Sequence, residues 1–314
     1  VRYLLRNGAP PPVVTEDKGK KIYTLEAKNL PALNTEPHAP IWGEIVPYVM
    51  LAPSDFEAQG YKGNMSTWAD FGKFIAELRA GRDVLPDNIK QQVHALTDTI
   101  KDPRNKVYAL YRYLQENTHY ISVQFGIGGL QPFSAAYVAT KKYGDCKALS
   151  NYMVALLKEV GINGKYVAIR AEEDAPPMID NFSSCNQFNH VICCVPMGKD
   201  TIWLECTSQT KSPGYMGTFT GGRKAVLIDE DGGHVVRTPS YSAIDNTQCR
   251  VVSAQLSAEG NLDANVSTMY QCIRQEDPHD MVDEMSAEDR AKHLNRLFSL
   301  PTYSVDRSHY EEKK

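Results

Sequence analysis

Three residue types with a defined spacing carry the chemistry readable in this chain: a cysteine at a helix start, a histidine at a strand start and a carboxylate on the neighbouring strand. Cys146 follows Gly144 and Asp145 and opens the run "CKALSNYMVALLKEV". Asp145 is a natural N-cap. A thiol in a first helical turn sits at the positive end of the helix dipole, which favours thiolate. Gly144 lets another backbone or a substrate approach closely. A cysteine on a helix is more often a buried structural residue, so a nucleophile requires a base within reach and an orienter behind it. His190 opens "HVICCVP", and Glu205 lies in "TIWLECT" across a short connection containing Gly198. If the turn is centred between Met197 and Gly198, His190 and Glu205 face each other directly. If it is centred one residue later, Glu205 faces Ile192 and His190 is its diagonal neighbour on the same face. Singly, His190 reads as a strand-end histidine and Glu205 as a solvated edge carboxylate; the conjunction of all three is a much rarer coincidence and suits a thiol nucleophile with its base and orienter.

The elements that must position these residues follow from periodicity. Segment 1–52 reads as β and loop, and prolines at 37, 40, 47 and 53 rule out a long helix across its second half. From Thr67 the spacing turns helical: "TWADFGKFIAELRAG", "PDNIKQQVHALTDTI" and "DPRNKVYALYRYLQENTHY" each place apolar residues on one face, with Thr67 or Ser66 as a cap and Pro103 suited to a first turn. Segment 121–133 reads as extended and glycine-rich, and 144–162 as the cysteine helix, ended by Gly161. Thereafter the period is two. Strands are expected at 165–173, 190–196, 201–207, 224–237 and 250–270, the last two containing hairpin turns at "DGG" and "AEGN". Helices followed by antiparallel strands make an α+β fold. The expected division is 1–52 as the C-terminal part of a β-domain, 53–246 as a catalytic core and 247–314 as the start of a further β-domain.

At this point a resemblance can be stated. "KYGDCKALSNYMVALLKEVGI", "FNHVICCV" and "WLECTSQ" resemble the cysteine, histidine and acidic motifs of the transglutaminase-like superfamily, over roughly residues 66–240. The resemblance implies a papain-like core, with N-terminal helices and the cysteine helix packed on an antiparallel sheet. It places Cys146, His190 and Glu205 on the triad positions, with Glu205 where the superfamily mostly has Asp. It implies thiol-dependent acyl transfer on peptide or glutamine amides, hydrolytic as in a protease or amidase, or cross-linking as in a transglutaminase. No cofactor is expected, and the partner is a protein or peptide substrate. The competing reading is a scaffold module that keeps the fold without turnover. Relatives take a second oxyanion donor from a polar side chain upstream of the cysteine; Gln131 is the candidate here and Gln124 the weaker one. The flanking β-segments resemble those of bacterial envelope proteins, which implies a periplasmic or envelope location.

Composition narrows the alternatives. With 34 basic and 38 acidic residues the net charge is −4, and no basic run offers a footprint for nucleic acid. No stretch of about 18 apolar residues is present to span a membrane. Seven cysteines, an odd number, leave at least one thiol outside any pairing, and none of them form a CxxC motif that would suggest zinc or thioredoxin-type chemistry. Cys193 and Cys194, adjacent in a strand, are expected on opposite faces and so cannot share a metal.

Overall fold

In the computed structural model, which describes residues 1–34 and 36–312, the chain forms two compact units, Val1–Pro239 and Ser240–Lys314. The first begins with β1 (Arg2–Arg6) paired antiparallel to β2 (Tyr48–Ala52), and carries two further hairpins, at 13–24 and 55–64. Four helices follow: α1 (Trp68–Arg79), α2 (Asp87–Thr97), α3 (Pro103–Asn117) and α4 (Ala135–Lys141). Their starts are set by capping chemistry. The Thr67 hydroxyl accepts from Asp70 N–H, the Asp102 carboxylate from Arg104 N–H, and the Ser134 hydroxyl from Tyr137 N–H. Pro103 occupies the first turn of α3, where its missing N–H costs nothing. α4 falls in a stretch to which periodicity assigns no helix.

The cysteine helix, α5 (Cys146–Glu159), is the centre of the unit: every residue from Cys146 to Leu157 is buried. It lies on a five-stranded antiparallel sheet built from β3 (Lys165–Ile169), β4 (His190–Met197), β5 (Asp200–Leu204), β6 (Lys224–Asp229) and β7 (Gly232–Arg237), in the order β5-β4-β3-β6-β7. Because side chains alternate across a strand, the sheet has two distinct faces. Cys193, Val195, Ile202 and Leu204 pack with Leu149, Met153 and Leu156 of α5, while Tyr166, Ala168, Val191, Val226 and Ile228 pack with Phe71, Phe74 and Ile75 of α1. The opposite face carries Val167, Ile169, Ile192, Cys194, Trp203 and Ala225, closed by Met216. Cys193 and Cys194 thus lie on opposite faces.

α1 reaches this sheet because three glycines remove the side chains that would hold it away. A Cβ on Gly72 would come within 1.9 Å of the Gly233 nitrogen, and one on Gly232 within 2.4 Å of the Ala69 carbonyl oxygen. The second unit consists of the hairpin β8 (Gln248–Leu256) and β9 (Leu262–Tyr270), then α6 (Glu276–Asp283) and α7 (Ala287–Leu294). None of its described residues is buried. Among the described residues no helix is long and apolar enough to cross a membrane.

Candidate active site

The site is assembled from the first turn of α5 and the adjoining ends of β4 and β5. Asp145 caps α5: its Oδ1 accepts from Ala148 N–H at 2.9 Å, and its other oxygen forms an ion pair with Lys147. Both side chains are almost fully enclosed, at 4% and 7% exposure. Cys146 lies between them in sequence with 5% of its surface exposed, against the cluster formed by α1, Tyr166 and Val191. The approach to the helix is fixed by a short parallel pairing of His119–Tyr120 with Tyr143–Gly144, extended by Ile121 N–H donating to the Gly144 carbonyl at 3.0 Å. Gly144 is required there, because a Cβ would come within 2.8 Å of that of Ala148.

His190 is the first residue of β4. Cys193 pairs with Leu204 and Met197 with Asp200, so the turn is Gly198-Lys199 with Gly198 at φ +68. This is the second of the two registers the sequence allows. A glycine at the first position of a two-residue hairpin turn supplies the positive φ that such turns need. Continuing that register past the end of β5 sets Glu205 across from Ile192 and diagonal to His190. The side chains meet: His190 Nε2 donates to Glu205 Oε1 at 2.9 Å and stands 3.1 Å from Oε2. Cys146 lies near enough to the His190 side chain to raise its affinity for a proton. With Nε2 committed to Glu205, Nδ1 is the nitrogen left for the sulfur.

Glu205 is held on all sides. Oε1 accepts from the Thr207 hydroxyl at 2.7 Å and from Thr207 N–H at 3.3 Å. The Thr220 hydroxyl, at the end of the short helix Gly217–Thr220, stands 3.4 Å from Oε2 and shares its proton with the Met216 carbonyl. Tyr111 of α3 donates its buried hydroxyl to the Glu205 backbone carbonyl at 2.9 Å. Beside the imidazole, Phe219 makes an edge contact at 5.3 Å between ring centroids while keeping 40% of its surface exposed. Thr207 belongs to the acidic motif visible in the sequence. Tyr111, Phe219 and Thr220 carry no such signal, since only the folded chain brings them to Glu205 and His190.

These contacts set the protonation states. Burial works against a charged imidazole, yet the Glu205 charge, the nearby Cys146 and the hydrogen bond to Glu205 outweigh it, and His190 is pushed up to about 10. Burial likewise works against a charged Glu205, but the imidazolium and the Thr207 bonds hold it below the usual carboxylate range. A buried imidazolium–carboxylate pair, 7% and 1% exposed, therefore stands next to the thiol.

The candidate oxyanion donor is placed differently. Gln131 gives its side-chain N–H groups to the Tyr61 hydroxyl at 3.0 Å and to the Leu78 carbonyl at 3.2 Å. Both donors are thereby used, and none is left to face an oxyanion. Gln124 lies exposed in the loop before the turn at Gly126–Gly129. The N–H of Cys146, in the unsatisfied first turn of α5, is available on helix geometry alone. Among the described residues no group of three or more His, Cys, Asp or Glu is arranged to hold a metal.

Residues 90–211 match the family model of the transglutaminase-like superfamily. No curated protein matches the chain in sequence. Of solved structures, a "putative protease" from Parabacteroides distasonis ATCC 8503 superimposes with TM-score 0.53 at 15% identity, over 82% of this chain and 48% of that one. A "putative cysteine protease" from Cytophaga hutchinsonii gives TM-score 0.32 at 18% identity, over 62% of this chain and 55% of that one. The chain thus spans about half the length of the solved structures it matches. At these identities the first likeness is one of fold. The family match and the α+β core together make residues 90–211 similar to the core of the transglutaminase-like superfamily.

Proposed function

We propose that the chain is a thiol-dependent acyl-transfer enzyme acting on peptide or glutamine amides, with Cys146 as nucleophile, His190 as acid–base and Glu205 as orienting carboxylate. The observation that supports this reading is the position of His190, which bonds Glu205 through Nε2 and neighbours Cys146. Transfer of the Cys146 thiol proton to His190 gives the attacking thiolate. The thiolate attacks the amide carbonyl carbon, and the Cys146 N–H donates a hydrogen bond to the developing oxyanion. As the tetrahedral intermediate collapses, the C–N bond breaks and His190 gives its proton to the leaving amine. A thioester on Cys146 remains. A water molecule, deprotonated by the now neutral His190, attacks it and releases the acid, while the thiolate and imidazolium are restored.

Hydrolysis is the outcome proposed here, because it needs only water as the second acceptor. An amine in place of water would give cross-linking by the same steps. Incubation with a peptide library, read by mass spectrometry, tests the reading. Cleaved or deamidated products are expected from the wild type and not from Cys146→Ala. Equal products from both would remove Cys146 from the chemistry.

A further inference from the structure

The ion pair between Asp145 and Lys147 encloses two charges that the acyl-transfer steps do not use. Enclosing a charged pair is costly in water-free surroundings and stabilises a fold only weakly, so its position calls for a reason beyond stability. The Asp145 carboxylate has a structural task, since it accepts the Ala148 N–H and caps α5. That task brings a negative charge to the residue next to Cys146, where a second negative charge must form for the thiol to react.

The charged and titratable groups around the sulfur come from several elements. His190 reaches it from β4, and Tyr166 faces it from β3. Glu205 stands behind His190, and Arg79 of α1 lies over the Tyr166 ring at 4.2 Å. Tyr166 is buried and stays neutral, its hydroxyl held far above its ordinary range chiefly by desolvation. Next to a thiolate there are then two carboxylates, Glu205 and Asp145, and two cations in direct contact with them, His190 and Lys147. Removing Lys147 would leave three enclosed negative charges and a single contacting cation.

We propose that Lys147 is a positioning residue for the reactive thiolate: its buried ammonium cancels the charge of the helix-capping Asp145, so that the cap can be made without opposing the negative charge on Cys146. The inference rests on the proposed role of Cys146 for its importance to turnover, but its test does not. Lys147 touches no reacting atom in this scheme; it acts through Asp145.

The test is the pH dependence of iodoacetamide alkylation, with the full chain and mass-spectrometric quantification of the Cys146 peptide, which excludes signal from the other six thiols. Lys147→Met is expected to raise the pH midpoint by about one unit and to slow alkylation at pH 7 about tenfold. Asp145→Asn keeps a capping side chain and leaves Lys147 uncompensated; its midpoint is expected to move down by a similar amount. The double variant should return near the wild type, and Lys147→Arg should stay there. A purely structural pair would give no shifts of opposite sign. Coincident midpoints in all variants, or both single variants shifting in the same direction, would overturn the proposal. Asp145→Asn is readable even where Lys147→Met does not fold. Turnover by Cys146→Ala would sink the proposed activity and leave these midpoints standing, whereas coincident midpoints in a Cys146-dependent enzyme would sink the role of Lys147 alone.

Discussion

The imidazole of His190 is bound to the Glu205 carboxylate beside a thiol, and that environment has consequences that can be measured. Its folded-state affinity for a proton lies near pH 10 against an ordinary 6.5. Because the folded value is raised, the stability it contributes is complete below about pH 6.5 and is lost as pH rises through about 10. Glu205 has the opposite sign: lowered from 4.5, its contribution is present above that value and is lost as pH falls below it. The gap in melting temperature between wild type and a His190→Gln/Glu205→Gln double variant should therefore be widest near pH 5–6.5 and close towards pH 10. A gap that widens with pH would contradict the ion-pair assignment. Glu205→Gln alone should lower kcat by about 10²- to 10⁴-fold with KM little changed, as expected when an orienting carboxylate is lost. The helix start at Cys146, the strand start at His190 and the nearness of Glu205 to His190 were legible at this scale, because the sequence marks them with a cap, a strand start and a motif. Gln131 shows where that legibility ends. Its amide is taken by Tyr61, 70 positions upstream, and by the Leu78 carbonyl in α1, and no local pattern announces such partners.

Elements place these residues, and their accuracy depends on close packing. α5 could be read from its start, because Asp145 caps it and its apolar spacing is strong. The hairpin of β4 and β5 was legible as a hairpin, but its register was left between two alternatives that differ by one residue in the turn. Gly198 at the first turn position selects one of them. α4 was not legible, being seven residues long with small residues at its start and only Ser134 to mark it. The contact of α1 with the β6–β7 hairpin depends on Gly72, Gly232 and Gly233, where any side chain must displace backbone rather than a flexible group. Gly72→Ala should therefore destabilise the first unit by about 3 kcal/mol or more, at or beyond the upper end for overpacked cores, despite the better helix propensity of alanine. Urea denaturation measures this; a neutral or stabilised variant would show that the helix can move away at little cost. Tyr111→Phe removes the hydroxyl that holds the Glu205 carbonyl and should cost about 1–2 kcal/mol, since it strands a buried acceptor.

At the scale of the whole molecule, the two units differ in how much surface they enclose. The first has a continuous core around α5, whereas no described residue from Ser240 onward is buried. Backbone amides of the second unit should exchange with solvent faster than those of α5 and β3–β4, because few apolar contacts oppose their opening. Limited proteolysis should cut first within 240–247, where Ile244 is 84% exposed. Protection of that segment comparable to α5 would contradict the picture. The run of helices followed by a run of strands conveyed the α+β class, since periodicity is a local property. The order β5-β4-β3-β6-β7, by contrast, is fixed by long-range packing on α5 and α1.

The most direct measurement of the central claim is rapid quenching during reaction with an amide substrate, followed by mass spectrometry of the intact chain and of its Cys146 peptide. An acyl group on Cys146 is expected, one per molecule, formed together with release of the amine and accumulating in a His190→Ala variant only if that variant can still acylate. Amine release with no acyl group on Cys146 at any time point would contradict covalent catalysis by this thiol.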